Sequence, residues 1–131
     1  MASLDESVRA LLEQPNYAVV STTNADGSIH SVVVWVDVED GHIALNSAEG
    51  RVWPTNLERD PRVTVVVYPP SNPYDYVEIR GRADATHEGA DEQIDRLAKK
   101  YLGQDTYPYR RPSEQRVKFI VDPQRVRHAK R

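Results

Sequence analysis

Arg51 stands just before Val52-Trp53-Pro54, where a proline suits the first turn of a short helix because a missing N–H costs nothing there. A guanidinium beside a helix N-terminus is a candidate clamp for a phosphate or another oxyanion, since planar donors and free backbone N–H groups both suit that charge. The same spacing also fits a plain surface arginine. His30, inside a β-rich segment, could move a proton, although a histidine in such a strand is more often a satisfied polar residue. Trp35, Trp53, Tyr74 and Tyr76 offer aromatic faces to a planar ligand, although any one aromatic is more often core packing than a ligand contact. Other chemistries are missing. There is no GxGxxG, P-loop, GxSxG or HExxH, and His30, His42, His87 and His128 lack metal-ligand spacing. With no cysteine, thiol catalysis, disulfides, iron–sulfur clusters and cysteine zinc sites are excluded.

The elements that must position these residues read as mainly β with flanking helices. An opening helix places Leu4, Val8, Leu11 and Leu12 on one face, with Ser3 and Glu6 at capping-box spacing. Tyr17 to Thr23 is a strand, and Asn24-Ala25-Asp26-Gly27 a turn. Ser28 to Glu39 is the longest β signal. Its apolar centre, Val32 to Val36, implies a strand covered on both faces, the second cover being a ligand or another subunit. Asp40-Gly41 turns the chain into a partner strand, His42 to Ser47. After the short helix ending at Asp60-Pro61 come strands at Arg62–Tyr68 and Tyr74–Ala85, separated by a proline loop at Pro69–Pro73. Ile94, Leu97, Ala98, Tyr101 and Leu102 keep helical spacing up to a cap at Gly103. Beyond the Tyr/Pro/Arg loop Gln104–Ser113, Arg116 to Asp122 is a strand, and Pro123 to Val126 starts a last short one. Hairpin connections dominate, which predicts six or seven mostly antiparallel strands curled into a small barrel.

The 131 residues suit a single domain spanning 1–131. No apolar run approaches the roughly 20 residues of a membrane span. The amphipathic, partly acidic start is unlike a signal or transit peptide, so the expected address is cytoplasmic. A net charge of −3 argues against general nucleic-acid binding. The charge is uneven, however: residues 110–131 carry a local +6 and the first 109 residues a local −9. The basic segment either places positive charge beside an anionic ligand or is simply a solvated terminus.

The frame Asp26-Gly27-Ser28-Ile29-His30-Ser31-Val32-Val33-Val34-Trp35, followed by Ile43-Ala44-Leu45-Asn46-Ser47, resembles the flavin-binding core of the pyridoxamine 5′-phosphate oxidase-like split β-barrel family. Gly50-Arg51-Val52-Trp53-Pro54-Thr55-Asn56-Leu57-Glu58-Arg59-Asp60-Pro61-Arg62-Val63 resembles the "GR…NLRRDPRV" signature of its actinobacterial flavin/deazaflavin oxidoreductases, the branch rich in coenzyme F420-dependent reductases. Asn72 to Gly81 is similar to the next strand of that group.

The resemblance implies a homodimer with a cofactor site in each groove between subunits. It implies that the strand around Val33 and Trp35, with Asn46 and Ser47, lines the ring system. Arg51, Val52, Trp53, Pro54 and Asn56 would hold the phosphate end, while Tyr74 and Tyr76 approach from the partner. Many relatives have Lys in place of Trp53 and Arg in place of Thr55, a loss of two cations here. The implied cofactor is coenzyme F420, with FMN as the alternative. The implied activity is hydride transfer to an electron-poor small molecule such as an enone or a conjugated double bond, tetrapyrrole reduction being one subgroup possibility. The proton would come from solvent, His30 or a tyrosine. A non-catalytic carrier of a flavin, coenzyme F420 or a tetrapyrrole is the competing reading. Val126-Arg127-His128 only faintly echoes the substrate-binding arginine–histidine motif of true pyridoxamine-phosphate oxidases, so that oxidation is disfavoured.

Overall fold

The computed structural model describes residues 3–130. Helix α1 (Glu6–Glu13) begins at Asp5, whose carboxylate accepts the Val8 N–H at 2.9 Å. The cap thus lies two residues after the expected Ser3, because Asp5 holds the extended geometry that an N-cap needs. Val8, Leu11 and Leu12 point inward as the spacing requires.

Seven strands follow: β1 (Tyr17–Thr23), β2 (Ile29–Val34), β3 (Asp37–Glu39), β4 (His42–Ala48), β5 (Arg62–Tyr68), β6 (Val77–Thr86) and β7 (Arg116–His128). Helix α2 (Val52–Arg59) joins β4 to β5, and α3 (Ala90–Leu102) joins β6 to β7. Every pairing is antiparallel, and the sheet order is β2-β1-β5-β6-β7-β4-β3.

The expected continuous strand from Ser28 to Glu39 is in fact two strands at opposite ends of this order. Only Trp35 and Val36 separate them, so the two ends of the sheet must come together and the sheet curls into a barrel. The barrel is split: β2 pairs only with β1, leaving a seam between β2 and β4. One chain covers one face of this strand, and the second cover expected was a ligand or another subunit. Val32 and Val34 turn toward the core, whereas Val33 is 60% exposed.

The two Asp-Gly turns form as expected, with φ of 88° at Gly27, and 51° and 77° at Asp40 and Gly41. Beyond Asp122 the last strand does not restart; β7 runs unbroken through Pro123. Its pairing with β6 shifts register beside Gly81, where Pro123 lies opposite and a missing N–H is tolerated. A Cβ on Gly81 would stand 2.2 Å from the Asp122 carbonyl oxygen, so only glycine allows this approach. Inside the barrel, Val20, Val65, Ile79, Leu45 and Phe119 form one cluster with the buried faces of α1 and α2.

Candidate functional site

The seam opens into a cavity of about 590 Å³. One wall is β2, with His30, Val32, Val33 and Val34, continuing into Trp35; Tyr17 adds its ring from β1. The opposite wall is Asn46 and Ser47 of β4, with Gly50, Arg51, Val52 and Trp53 at the start of α2. Ile94 and Leu97 of α3, Tyr107 and Tyr109 of the following loop, and Arg116 of β7 complete it.

Trp35 is held from behind. Its ring stacks on Tyr101 at 5.1 Å and 5°, and meets the edge of Tyr107 at 6.1 Å. The Tyr101 hydroxyl donates to the Asn16 carbonyl at 2.5 Å and accepts the Val36 N–H at 3.1 Å. Beside it, Lys100 Nζ donates to the carbonyls of Leu12 and Val36 at 2.6 and 2.7 Å. The end of α3 therefore pins the joint between β2 and β3, and with it Trp35. Burial pushes the Tyr101 hydroxyl up to about 12 and the Lys100 ammonium down to about 8.

The polar end is a buried network. Asn46 donates at 2.8 Å to both the Ala90 carbonyl and the Gln93 side chain, and accepts from Arg116 Nε at 3.0 Å. The Arg116 guanidinium lies 5.2 Å from the Tyr107 ring centroid. Glu114 Oε1 stands 3.1 Å from Arg116 Nη1 and accepts from Arg51 Nη2 at 3.0 Å. Ser47 Oγ, Glu114 Oε2 and Arg116 Nη1 are buried with no hydrogen-bond partner among the described residues. Such atoms cost free energy unless something satisfies them. The cavity thus combines aromatic and aliphatic walls with unsatisfied polar groups, the usual composition of an organic-ligand site.

Of the residues expected at such a site, Val33, Trp35, Asn46, Ser47, Arg51, Val52 and Trp53 share this cavity. Trp53 is nonetheless largely core, 5% exposed and tilted against Phe119 at 5.4 Å. Pro54 and Asn56 do not line it. Asn56 turns away to donate to Thr22 Oγ1 and Asn24 Oδ1 and to accept from Arg59, so it ties α2 to β1 and is not free to hold a phosphate. Tyr74 and Tyr76 are not on the cavity wall of their own chain. His128 is engaged elsewhere, 2.6 Å from Asp75.

Tyr17, Tyr107, Tyr109 and Arg116 were not among the expected site residues. The Tyr/Pro/Arg composition of the 104–113 loop was the available signal for two of them. Arg116 gave none, being one of many cations in a basic segment.

The profile of the family described as pyridoxamine 5′-phosphate oxidase matches residues 4–130. Among solved structures, one described as an F420 reductase is 25% identical, with a TM-score of 0.80 over 94% of this chain and 98% of that one. A conserved hypothetical protein from Mycobacterium tuberculosis is 23% identical, with a TM-score of 0.74 over 99% and 85% of the two chains. General Stress Protein 26 from Bacillus anthracis is 19% identical, with a TM-score of 0.70 over 95% and 92%. The last two likenesses concern the fold alone. No curated protein matches.

Proposed function

The chain belongs to the pyridoxamine 5′-phosphate oxidase family of split β-barrels, and from that premise we propose that it is a reductase dependent on coenzyme F420. The observation that carries this reading is the seam cavity, with Trp35 and the β2 valines facing Ser47, Asn46 and Arg51. Its residues fit a flavin-type group. The volume lies within the range of sites for organic ligands of that size. Apolar and aromatic walls suit a planar ring, Ser47 Oγ has hydrogen-bonding capacity to spare, and Arg51 offers donors to a phosphate. The similarity to the F420 reductase supports the deazaflavin over FMN.

Val32 to Trp35, Asn46 and Ser47 would hold the ring, and Arg51 the phosphate end. When bound, the deazaflavin supplies a hydride for an electron-poor double bond of a small substrate. The protein's part is orientation and exclusion of water: Trp35 is fixed by Tyr101, and the valine wall keeps the ring's face dry. His30, Tyr17, Tyr107 and Tyr109 are wall residues able to pass a proton to the product.

A single chain leaves one side of this cavity open. Val33, Val52 and Tyr17 line it and yet remain more than 40% exposed. A second copy of the chain closes it, making the working unit a homodimer, with Tyr74 and Tyr76 reaching the partner's cavity.

The test is a side-by-side fluorescence titration with coenzyme F420 and FMN. Tight binding of the deazaflavin, followed by turnover of a surrogate enone, is the expected result. A preference for FMN overturns the cofactor, and binding of F420 without turnover leaves a carrier in place of an enzyme.

A further inference from the structure

A second cavity of about 560 Å³ adjoins the first and shares Arg116 with it; Asp91, Arg110, Arg111, Pro112 and Glu114 form the rest of its wall. The partition between the two cavities is the Glu114–Arg116 pair. Arg116 is 5% exposed, and the side chain of Glu114 only 10%. One carboxylate oxygen, Oε1, faces both Arg51 Nη2 and Arg116 Nη1, at 3.0 and 3.1 Å. The contact with Arg116 Nη1 lacks hydrogen-bond alignment, and Glu114 Oε2 has no partner among the described residues. Arg110 is already committed, donating to Asp95 Oδ1 at 3.0 Å and to the Asp91 carbonyl at 3.3 Å.

This is a poor resting place for a carboxylate. A buried ion pair offsets its desolvation only if the remaining donors and acceptors are satisfied, and here one N–H and one oxygen are not. A phosphate has two terminal oxygens as a diester and three as a monoester, and either could engage Arg51 and Arg116 together, which a single carboxylate oxygen does badly.

We propose that Glu114 is an internal counter-ion seated in a phosphoryl subsite, and that an incoming phosphoryl group takes Arg51 and Arg116 from it. Glu114 then swings toward the second cavity, where Arg111 is a guanidinium on the wall. Its negative charge makes the subsite selective: a weak anion such as chloride does not displace it, whereas a phosphate with terminal oxygens for both guanidiniums does. The inference rests on the preceding reading only for the presence of a phosphate at this end of the cleft, not for the identity of the ring.

Inorganic pyrophosphate is therefore a sufficient probe, followed by calorimetric titration and by the shift in melting temperature it produces. Glu114→Gln keeps the shape and removes the competing charge. It should tighten pyrophosphate binding about tenfold, equivalent to about 1.4 kcal/mol, and enlarge the melting shift. Arg116→Gln should abolish both effects. If Glu114→Gln folds less stably because Arg116 loses its counter-ion, added pyrophosphate should restore the loss, and that restoration supports the same assignment. Unchanged or weaker binding in Glu114→Gln, or no binding by either protein, overturns it. The cofactor reading fails on a different readout, the ring titration, so the two outcomes separate.

Discussion

Asn56 and Arg51 lie five residues apart in one signature, yet they have opposite burdens. The Asn56 amide is buried and ties α2 to β1 through Thr22 and Asn24. Asn56→Ala orphans those partners and should lower unfolding free energy by about 1–3 kcal/mol, with cofactor affinity little changed. Arg51 is half exposed, and its pairing with Glu114 adds roughly 0–1 kcal/mol as a partly solvated ion pair. Arg51→Ala should therefore melt close to the wild type and still lose about tenfold or more in cofactor affinity. Chemical denaturation and fluorescence titration of the two variants check this crossing pattern; a parallel loss in both would place the residues in one role. A motif gives which residues travel together, but it does not say which side chain turns inward. Trp53 makes the same point: by position it belongs to the phosphate end, and by packing it belongs to Phe119 and the core.

Among the elements, β6, β7 and α3 carry the strongest constraints. At Gly81 the backbone of β7 comes so near that an added methyl group meets the Asp122 carbonyl. Gly81→Ala should destabilise by about 2 kcal/mol or more through forced backbone movement, read as a shifted denaturation midpoint. An unshifted midpoint would mean that the register irregularity relaxes freely. At the end of α3, Lys100 and Tyr101 oppose each other in their pH dependence. Folding lowers Lys100 from 10.5 to about 8, so between these values the unfolded chain binds more protons and stability rises with pH. Folding raises Tyr101 from 10.0 to about 12, so above pH 10 the unfolded chain loses a proton that the folded one keeps, and stability falls. Relative to a Lys100→Met, Tyr101→Phe double variant, wild-type stability should climb above pH 8, peak near 10 and decline. A flat difference over that window would show that neither group is desolvated as the packing indicates. Capping and turn chemistry made α3 and the Asp-Gly hairpins legible, because Gly103, Gly27 and Gly41 supply backbone conformations that few residues tolerate. The break at Trp35-Val36 was not legible. Five consecutive apolar residues carry no period to mark it, and what makes the break is distant: Tyr101 and Lys100 bind the backbone of Val36 from 65 and 64 residues away.

At the scale of the whole molecule, one sheet face remains to be accounted for. Cross-strand register places Val19, Val33 and Val66 side by side, with Tyr17 and Tyr68 at one end and Ile29 toward the other. Their neighbours Ala18, Val20, Val65 and Val67 point into the barrel, so this stretch of β1 and β5 is apolar on both faces, with Ser21, Ser31 and Thr64 standing between it and Ile29. An exposed apolar patch of this kind is a candidate interaction site. The same face borders the open side of the seam cavity through Tyr17 and Val33, so one contact would bury the sheet and close the site together. Ile29 is 64% exposed and does not line that cavity. Ile29→Glu should leave the fold intact, since no packed neighbour is disturbed, and turn a dimer into a monomer in sedimentation velocity. If closure depends on the second copy, cofactor affinity should fall with dissociation and recover as protein concentration is raised. Were the variant monomeric yet undiminished in affinity, the cavity would be complete in one chain. Were it still dimeric, the subunits would meet on another face, and the apolar sheet would need a different partner.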